Sequence, residues 1–289
     1  MRTFRLLPLL LLLLSLSAAA DDPPKFAPEV ERLASSWLAR EPVAALADDL
    51  DLAAAGRIRD AFVERLAAEL GPPVGYKAAL TSAAVQQRFG VDEPLRGTLF
   101  QKMLLPSGSR VGLDAGSRLA FEGDLVVRVG DAAINAAQSR GEALAALDAV
   151  MPFLEIPDLA YVPDVEIDGP ALMAINAGAR AGILGAPIEL TGEGWAERLA
   201  EVEVELVGRG VEGMSGRGSA LLGHPLDVVL WLRDALRDDG VALRPGDLLS
   251  LGSITPLTPA VAGEFTARYT GLGPQPIEIS VTFTSPGPV

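Results

Sequence analysis

The sequence predicts an α+β protein in which a helical N-terminal part sits on a larger, mainly β part. Two observations lead there. Leu52, Ile58, Ala61, Phe62, Leu66 and Leu70 recur at helical spacing until Gly71-Pro72-Pro73 stops the run. From about residue 97 the chain turns to short apolar segments separated by Gly and Pro, and residues 121–129 alternate with the period of a strand. Of the 289 residues, 49% are hydrophobic, enough to bury a substantial core. The 21% that are charged are too few and too well mixed for a disordered chain.

Taken in order, the N-terminus differs from everything after it. Arg2 and Arg5 precede an apolar run over 6–14, then small residues to Ala20, with Ala18 and Ala20 ahead of Asp21. This is the three-part pattern of a secretory signal over 1–20, and the run is short for a bilayer span. The expectation is export to the periplasm or beyond. Cleavage removes two arginines and no acid, so the formal charge of −14 becomes −16. Such a chain repels nucleic acid and anionic membrane surfaces, and neither is expected as a partner. With no cysteine there are no disulfides and no thiolate sites, and the one histidine, His224, rules out His-rich metal centres.

Helices are expected near 28–39, 51–70, 82–89 and 141–150, and from Pro225 to a stop at Gly240. Strands are expected at 121–129 and, later, near 201–207, 247–252, 263–270 and 276–284. Residues 21–96 are taken as the helical part and 97–289 as the β-rich core.

On the 121–129 strand Glu122 and Asp124 are two apart, so both carboxylates project from one face. Two adjacent acids repel unless a cation compensates, and Mg²⁺ or Mn²⁺ takes carboxylate oxygens. Glu155, in Pro152-Phe153-Leu154-Glu155-Ile156, is a third acid among core-like residues. Spacing alone leaves a solvated strand face open as the alternative, with Arg128 pairing one acid. Glu201, Glu203 and Glu205 also share a face but read as an ordinary half-exposed strand. Lys77 lies in apolar Gly75-Tyr76-Lys77-Ala78-Ala79-Leu80-Thr81, either desolvated and functional or with its head in water. His224-Pro225 suits a helix start. No Gly-x-Ser-x-Gly elbow and no phosphate-binding glycine loop ending in Lys-Ser/Thr is present.

Several segments resemble the hydratase/decarboxylase branch of the fumarylacetoacetate hydrolase superfamily, of the 2-keto-4-pentenoate hydratase type. They are the Gly75–Thr81 run, Gln86-Gln87-Arg88-Phe89-Gly90-Val91, Glu122-Gly123-Asp124, Pro152-Phe153-Leu154-Glu155, Ile175-Asn176-Ala177-Gly178, Leu222-Gly223-His224-Pro225-Leu226, and Gly246-Asp247 leading to Gly252-Ser253-Ile254-Thr255. They follow the family's order across about 75–284. The resemblance implies a β-roll or distorted-barrel core and a homo-oligomer. It implies Mg²⁺ or Mn²⁺ on Glu122, Asp124 and Glu155, a catalytic Lys77, and substrate contacts at Asn176 and Ser253. The implied activity is a lyase hydrating a small 2-oxo or 2-hydroxy-dienoic acid, with decarboxylation of a related 2-oxo diacid, or mere binding of a carboxylic acid, as alternatives. Asp124 stands where the family usually has Glu, and Leu95 where the hydratases carry an Asp.

Overall fold

The computed structural model describes residues 26–46 and 50–286, so the expected signal at 1–20 lies outside the described residues. Helices α1 (Ala27–Ala39) and α2 (Leu52–Leu70) form the N-terminal layer. Asp51 opens α2 by accepting the Ala54 amide at 2.6 Å, satisfying one of the free N–H groups of its first turn. Trp37 and Phe62 meet edge to face at 6.3 Å, within a core of Val30, Leu33, Ile58 and Leu66.

Next come β1 (Pro73–Ala79), α3 (Ala83–Arg88), β2 (Leu95–Phe100), β3 (Leu104–Pro106), β4 (Ser109–Gly112) and β5 (Ala120–Val129). They are followed by α4 (Arg140–Ala145), β6 (Leu147–Ile156), α5 (Gly169–Ala174), β7 (Ala181–Leu184), β8 (Ile188–Glu189), α6 (Trp195–Glu201), β9 (Glu203–Val207) and β10 (Ser215–Arg217). The chain closes with α7 (Pro225–Asp238), β11 (Leu248–Ser250), β12 (Thr258–Pro259), β13 (Gly263–Thr270) and β14 (Ile277–Thr284).

The larger sheet runs β2-β1-β11-β5-β6-β7-β3, with β12 added to β5 and β8 to β6, and curls into a half-barrel. A second sheet, β10-β9-β13-β14-β4, packs against it. Phe121, Phe265 and Phe283 fill the space between the sheets, with ring centroids 4.7–5.9 Å apart. The α+β architecture expected from the sequence, with its half-barrel core, is thus present.

Three local expectations are corrected. The sheet begins well before residue 97: β1 is an interior strand, and β2 spans the 96/97 division. The helix expected over 141–150 ends at Ala145, and Leu147 already belongs to β6. From Leu147 the backbone is instead paired with β5, and that pairing, which local pattern does not show, ends the helix early. Residues 195–201 form α6, so the strand placed at 201–207 starts at Glu203. Among the described residues no helix is long and apolar enough to cross a membrane.

Replacing Phe121 by Ala removes the ring that touches both others and is expected to destabilise the protein by about 3–5 kcal/mol, measured by denaturant unfolding.

Candidate functional site

β5 and β6 are antiparallel neighbours whose register sets Glu122 directly opposite Glu155, with Asp124 one pleat further along. Facing side chains in such a pair stand about 5 Å apart at Cβ. The open strand face is ruled out: Glu122 is 9% exposed, Glu155 1% and Asp124 fully buried. Arg128 does not serve these acids, because its guanidinium pairs with Asp148 at 2.7 Å and reaches Glu189 at 3.8 Å.

The compensating cation is Lys77. It is 2% exposed; its Nζ donates to Glu155 Oε1 and, at 3.0 Å, to the Ala177 carbonyl. That carbonyl lies in a turn where Asn176, Ala177 and Gly178 all have positive φ. Such conformations persist only where neighbours hold them. Asn176 does the holding: its Oδ1 accepts from the Thr98 amide at 2.7 Å and its Nδ2 donates to the Thr98 carbonyl at 2.9 Å. Its amide is thus committed to β2 and does not line the cavity beside the acids. Gly97 must be glycine here, because a Cβ would lie 2.6 Å from the Asn176 carbonyl oxygen and 3.0 Å from Lys77 Cγ.

Asp124 is held from both sides, accepting the Leu125 amide at 2.5 Å and the Ser250 hydroxyl. Thr255 Oγ1 accepts the Gly123 amide at 2.9 Å, and the Tyr269 hydroxyl bridges the carbonyls of Asp124 and Phe153 at 3.0 and 2.6 Å. Ser250, Thr255 and Tyr269 were not among the site residues expected from the sequence. The Gly252-Ser253-Ile254-Thr255 segment was the only signal near them. Leu95 is buried in the N-terminal core cluster, away from the cavity lining. His224 caps α7, its Nδ1 accepting the Leu226 amide at 3.1 Å. Glu203 and Glu205 are exposed, Glu203 pairing with Arg217 and Glu205 with Arg268.

Burial, and then the charge of Glu155, raise the Glu122 carboxyl to about 7, against the pull of Lys77 and of the neighbouring Ser253, whose hydroxyl donates to the Thr255 carbonyl. Asp124 is held well above the usual carboxylate range, first by burial and then by Glu155. Glu155 Oε2 is buried with no hydrogen-bond partner. Among the described residues no three carboxylates are drawn closely enough to enclose an ion as they stand. In donor chemistry the set nonetheless fits a hard divalent cation: three carboxylates, one oxygen free, and mutual repulsion that a cation would relieve. Lys77, Glu122 and Ser253 line a cavity of about 470 Å³, which continues along Leu80, Phe89 and Leu172.

No protein-family model matches the chain. A 2-keto-4-pentenoate hydratase of Paraburkholderia xenovorans is 32% identical over 207 residues, 69% of this chain and 73% of that one. The chain therefore belongs to the family of 2-keto-4-pentenoate hydratases and 4-oxalocrotonate decarboxylases. The 4-oxalocrotonate decarboxylase of Pseudomonas putida G7, solved with magnesium and adipate, superposes with a TM-score of 0.79 at 25% identity, covering 89% of this chain and 96% of that one. A fumarylpyruvate hydrolase of Pseudomonas aeruginosa, solved with Mn²⁺ and pyruvate, shares the fold at 16% identity and a TM-score of 0.53, over 73% of this chain and 89% of that one.

The raised Glu122 carboxyl makes stability pH-dependent. Its folded value lies above the ordinary 4.5, so the native state keeps a proton that the unfolded chain releases, and stability falls as pH rises from about 4.5 to 7. In metal-free protein Glu122→Gln is expected to flatten that fall and to gain about 3 kcal/mol over wild type above pH 7, read from denaturant unfolding across pH.

Proposed function

We propose that the chain is an exported, homo-oligomeric, metal-dependent lyase of the hydratase type, acting on a small 2-hydroxy-dienoic or 2-oxo acid. The observation that carries this reading is a buried lysine and Glu122 at the polar end of a cavity, with Asp124 and Glu155 buried behind them on the same strand pair and Glu155 Oε2 left without a partner. Glu122, Asp124 and Glu155 would hold Mg²⁺ or Mn²⁺. When bound, that cation supplies charge stabilisation for the C1 carboxylate and C2 oxygen of the substrate.

The chain's own residues do the rest. Lys77, paired with Glu155, lines the cavity, where its side chain would fix the substrate carboxylate or deliver a proton. Ser253, on the cavity wall beside Glu122, positions the substrate by hydrogen bonding. Asn176 acts at one remove, by anchoring the turn whose carbonyl orients Lys77. The net change is one water added across the conjugated diene. A decarboxylase would use the same polar end on a diacid.

Two measurements test this. Titration calorimetry with Mn²⁺ is expected to show binding to wild type and none to Glu122→Ala; no uptake by wild type overturns the metal assignment. With metal present, 2-hydroxypenta-2,4-dienoate is expected to lose its ultraviolet absorbance, and Lys77→Met to slow that loss by about 10²–10⁴-fold. Export predicts a mature N-terminus at Asp21, which sequencing of the secreted protein checks.

A further inference from the structure

Helix α5 gives Leu172 to the cavity beside Lys77 and its neighbour Met173 to a second cavity, of about 380 Å³, which shares no lining residue with the first. The floor of this second cavity is a pair of guanidiniums, Arg59 on α2 and Arg96 on β2, only 3% and 7% exposed. Asp60 Oδ1 accepts Arg59 Nε and Nη2 at 3.0 and 2.8 Å, and Asp239 Oδ2 accepts Arg96 Nε at 2.6 Å. These contacts occupy one oxygen of each carboxylate, and both acids remain exposed. Arg59 Nη1 has the weakest partner of the group, the thioether of Met173 at 3.1 Å. Burial, and then Arg96, pull the Arg59 guanidinium below its ordinary value, so a further anionic acceptor would be favoured there.

Gly56 keeps this floor open. It lies inside α2, where glycine is disfavoured against any residue with a good helical side chain. Nothing crowds it: the nearest atom to an added Cβ is Arg59 Nη2, at 4.0 Å. Neither backbone nor packing calls for glycine, and the space left by its missing side chain adjoins the guanidinium. The exposed Leu52 and the partly buried Trp231 supply an apolar wall. Arg57 and Glu93 complete the charged lining, which sets Arg57, Arg59 and Arg96 against Asp60, Glu93 and Asp239. A simple anion would gain the arginines but meet three carboxylates, and a simple amine would meet the reverse. A small molecule bearing both charges avoids both penalties.

We infer that this cavity binds a free α-amino acid with an apolar side chain: its carboxylate on Arg59 and Arg96, its ammonium on Asp60 and Asp239, its side chain against Leu52 and Trp231. The volume suits such a ligand, lying near the small end of the about 300–1,000 Å³ range of small-molecule sites. The site is separate from the catalytic cavity, and its test needs no turnover. Titration calorimetry of the purified protein with L-phenylalanine and L-leucine is expected to show saturation by at least one of them, with a Kd of about 1 mM or tighter. No saturation by either below about 10 mM overturns the inference.

The N-acetyl derivative of the amino acid that binds keeps only the carboxylate, and its amide keeps only the ammonium. Each should bind at least ~10-fold more weakly than the parent. Either one binding as tightly makes this a plain anion or cation site and overturns the zwitterion assignment. Gly56→Leu fills the space beside Arg59 and should abolish binding, while unfolding at no lower denaturant concentration than wild type because leucine suits a helix better. Binding that survives in folded Gly56→Leu puts the ligand elsewhere and overturns the placement. Asp60→Asn, at an exposed position outside the catalytic cavity, is expected to weaken the amino acid about tenfold, and an unchanged Kd overturns the ammonium contact.

Discussion

Placing three carboxylates inside a protein with a single ammonium is an electrostatic debt that the surrounding structure is arranged to contain. Lys77 satisfies one oxygen of Glu155, the Ser250 hydroxyl and Leu125 amide take Asp124, and Ser253 stands by Glu122. None of these groups cancels the charge of the other two acids, and both respond by holding their protons more tightly. Such an arrangement survives only where the framework does not yield. The acids therefore sit on interior strands, where Tyr269 ties the carbonyls of β5 and β6 together beneath them.

The same demand explains the strained turn at residues 176–178. A buried lysine needs acceptors for its ammonium. The Ala177 carbonyl fills the place, and the Asn176 side chain, locked to both backbone groups of Thr98, holds the unfavourable backbone that aims it. Gly97 leaves room for this close approach between chain segments far apart in sequence. Two hydrogen bonds from one asparagine thus fix the third partner of the buried ion pair.

Much of this was legible in the sequence, and the limits have physical causes. Period-two alternation correctly put Glu122 and Asp124 on one strand face. It could not tell whether that face was wet, because burial depends on what the chain lays over it, and the cover comes from residues 175–178 and 250–255. Register, by contrast, is invisible to local pattern: only the pairing of β5 with β6 brings Glu155 opposite Glu122. β1 and β2 were hidden because Gly75 and Gly97 lower strand propensity where a neighbouring backbone must come close. The helix expected to 150 stops at Ala145 because the chain from Leu147 pairs with β5 as β6, a tertiary pairing absent from the local pattern. Asn176 was singled out as a substrate contact, whereas its amide is committed to the backbone of β2.

The division between floor and wall in the cavity has a consequence for how such a protein changes over generations. Its charged floor comes from paired interior strands, where almost any substitution disturbs burial, register or charge together. Its apolar wall comes from pieces of chain with little in common: a short helix at 83–88, the loop around Leu257, and one face of α5. Those pieces can drift one residue at a time without touching the floor. A lineage built on this plan can acquire new substrates by surface-like mutations while inheriting its chemistry unaltered.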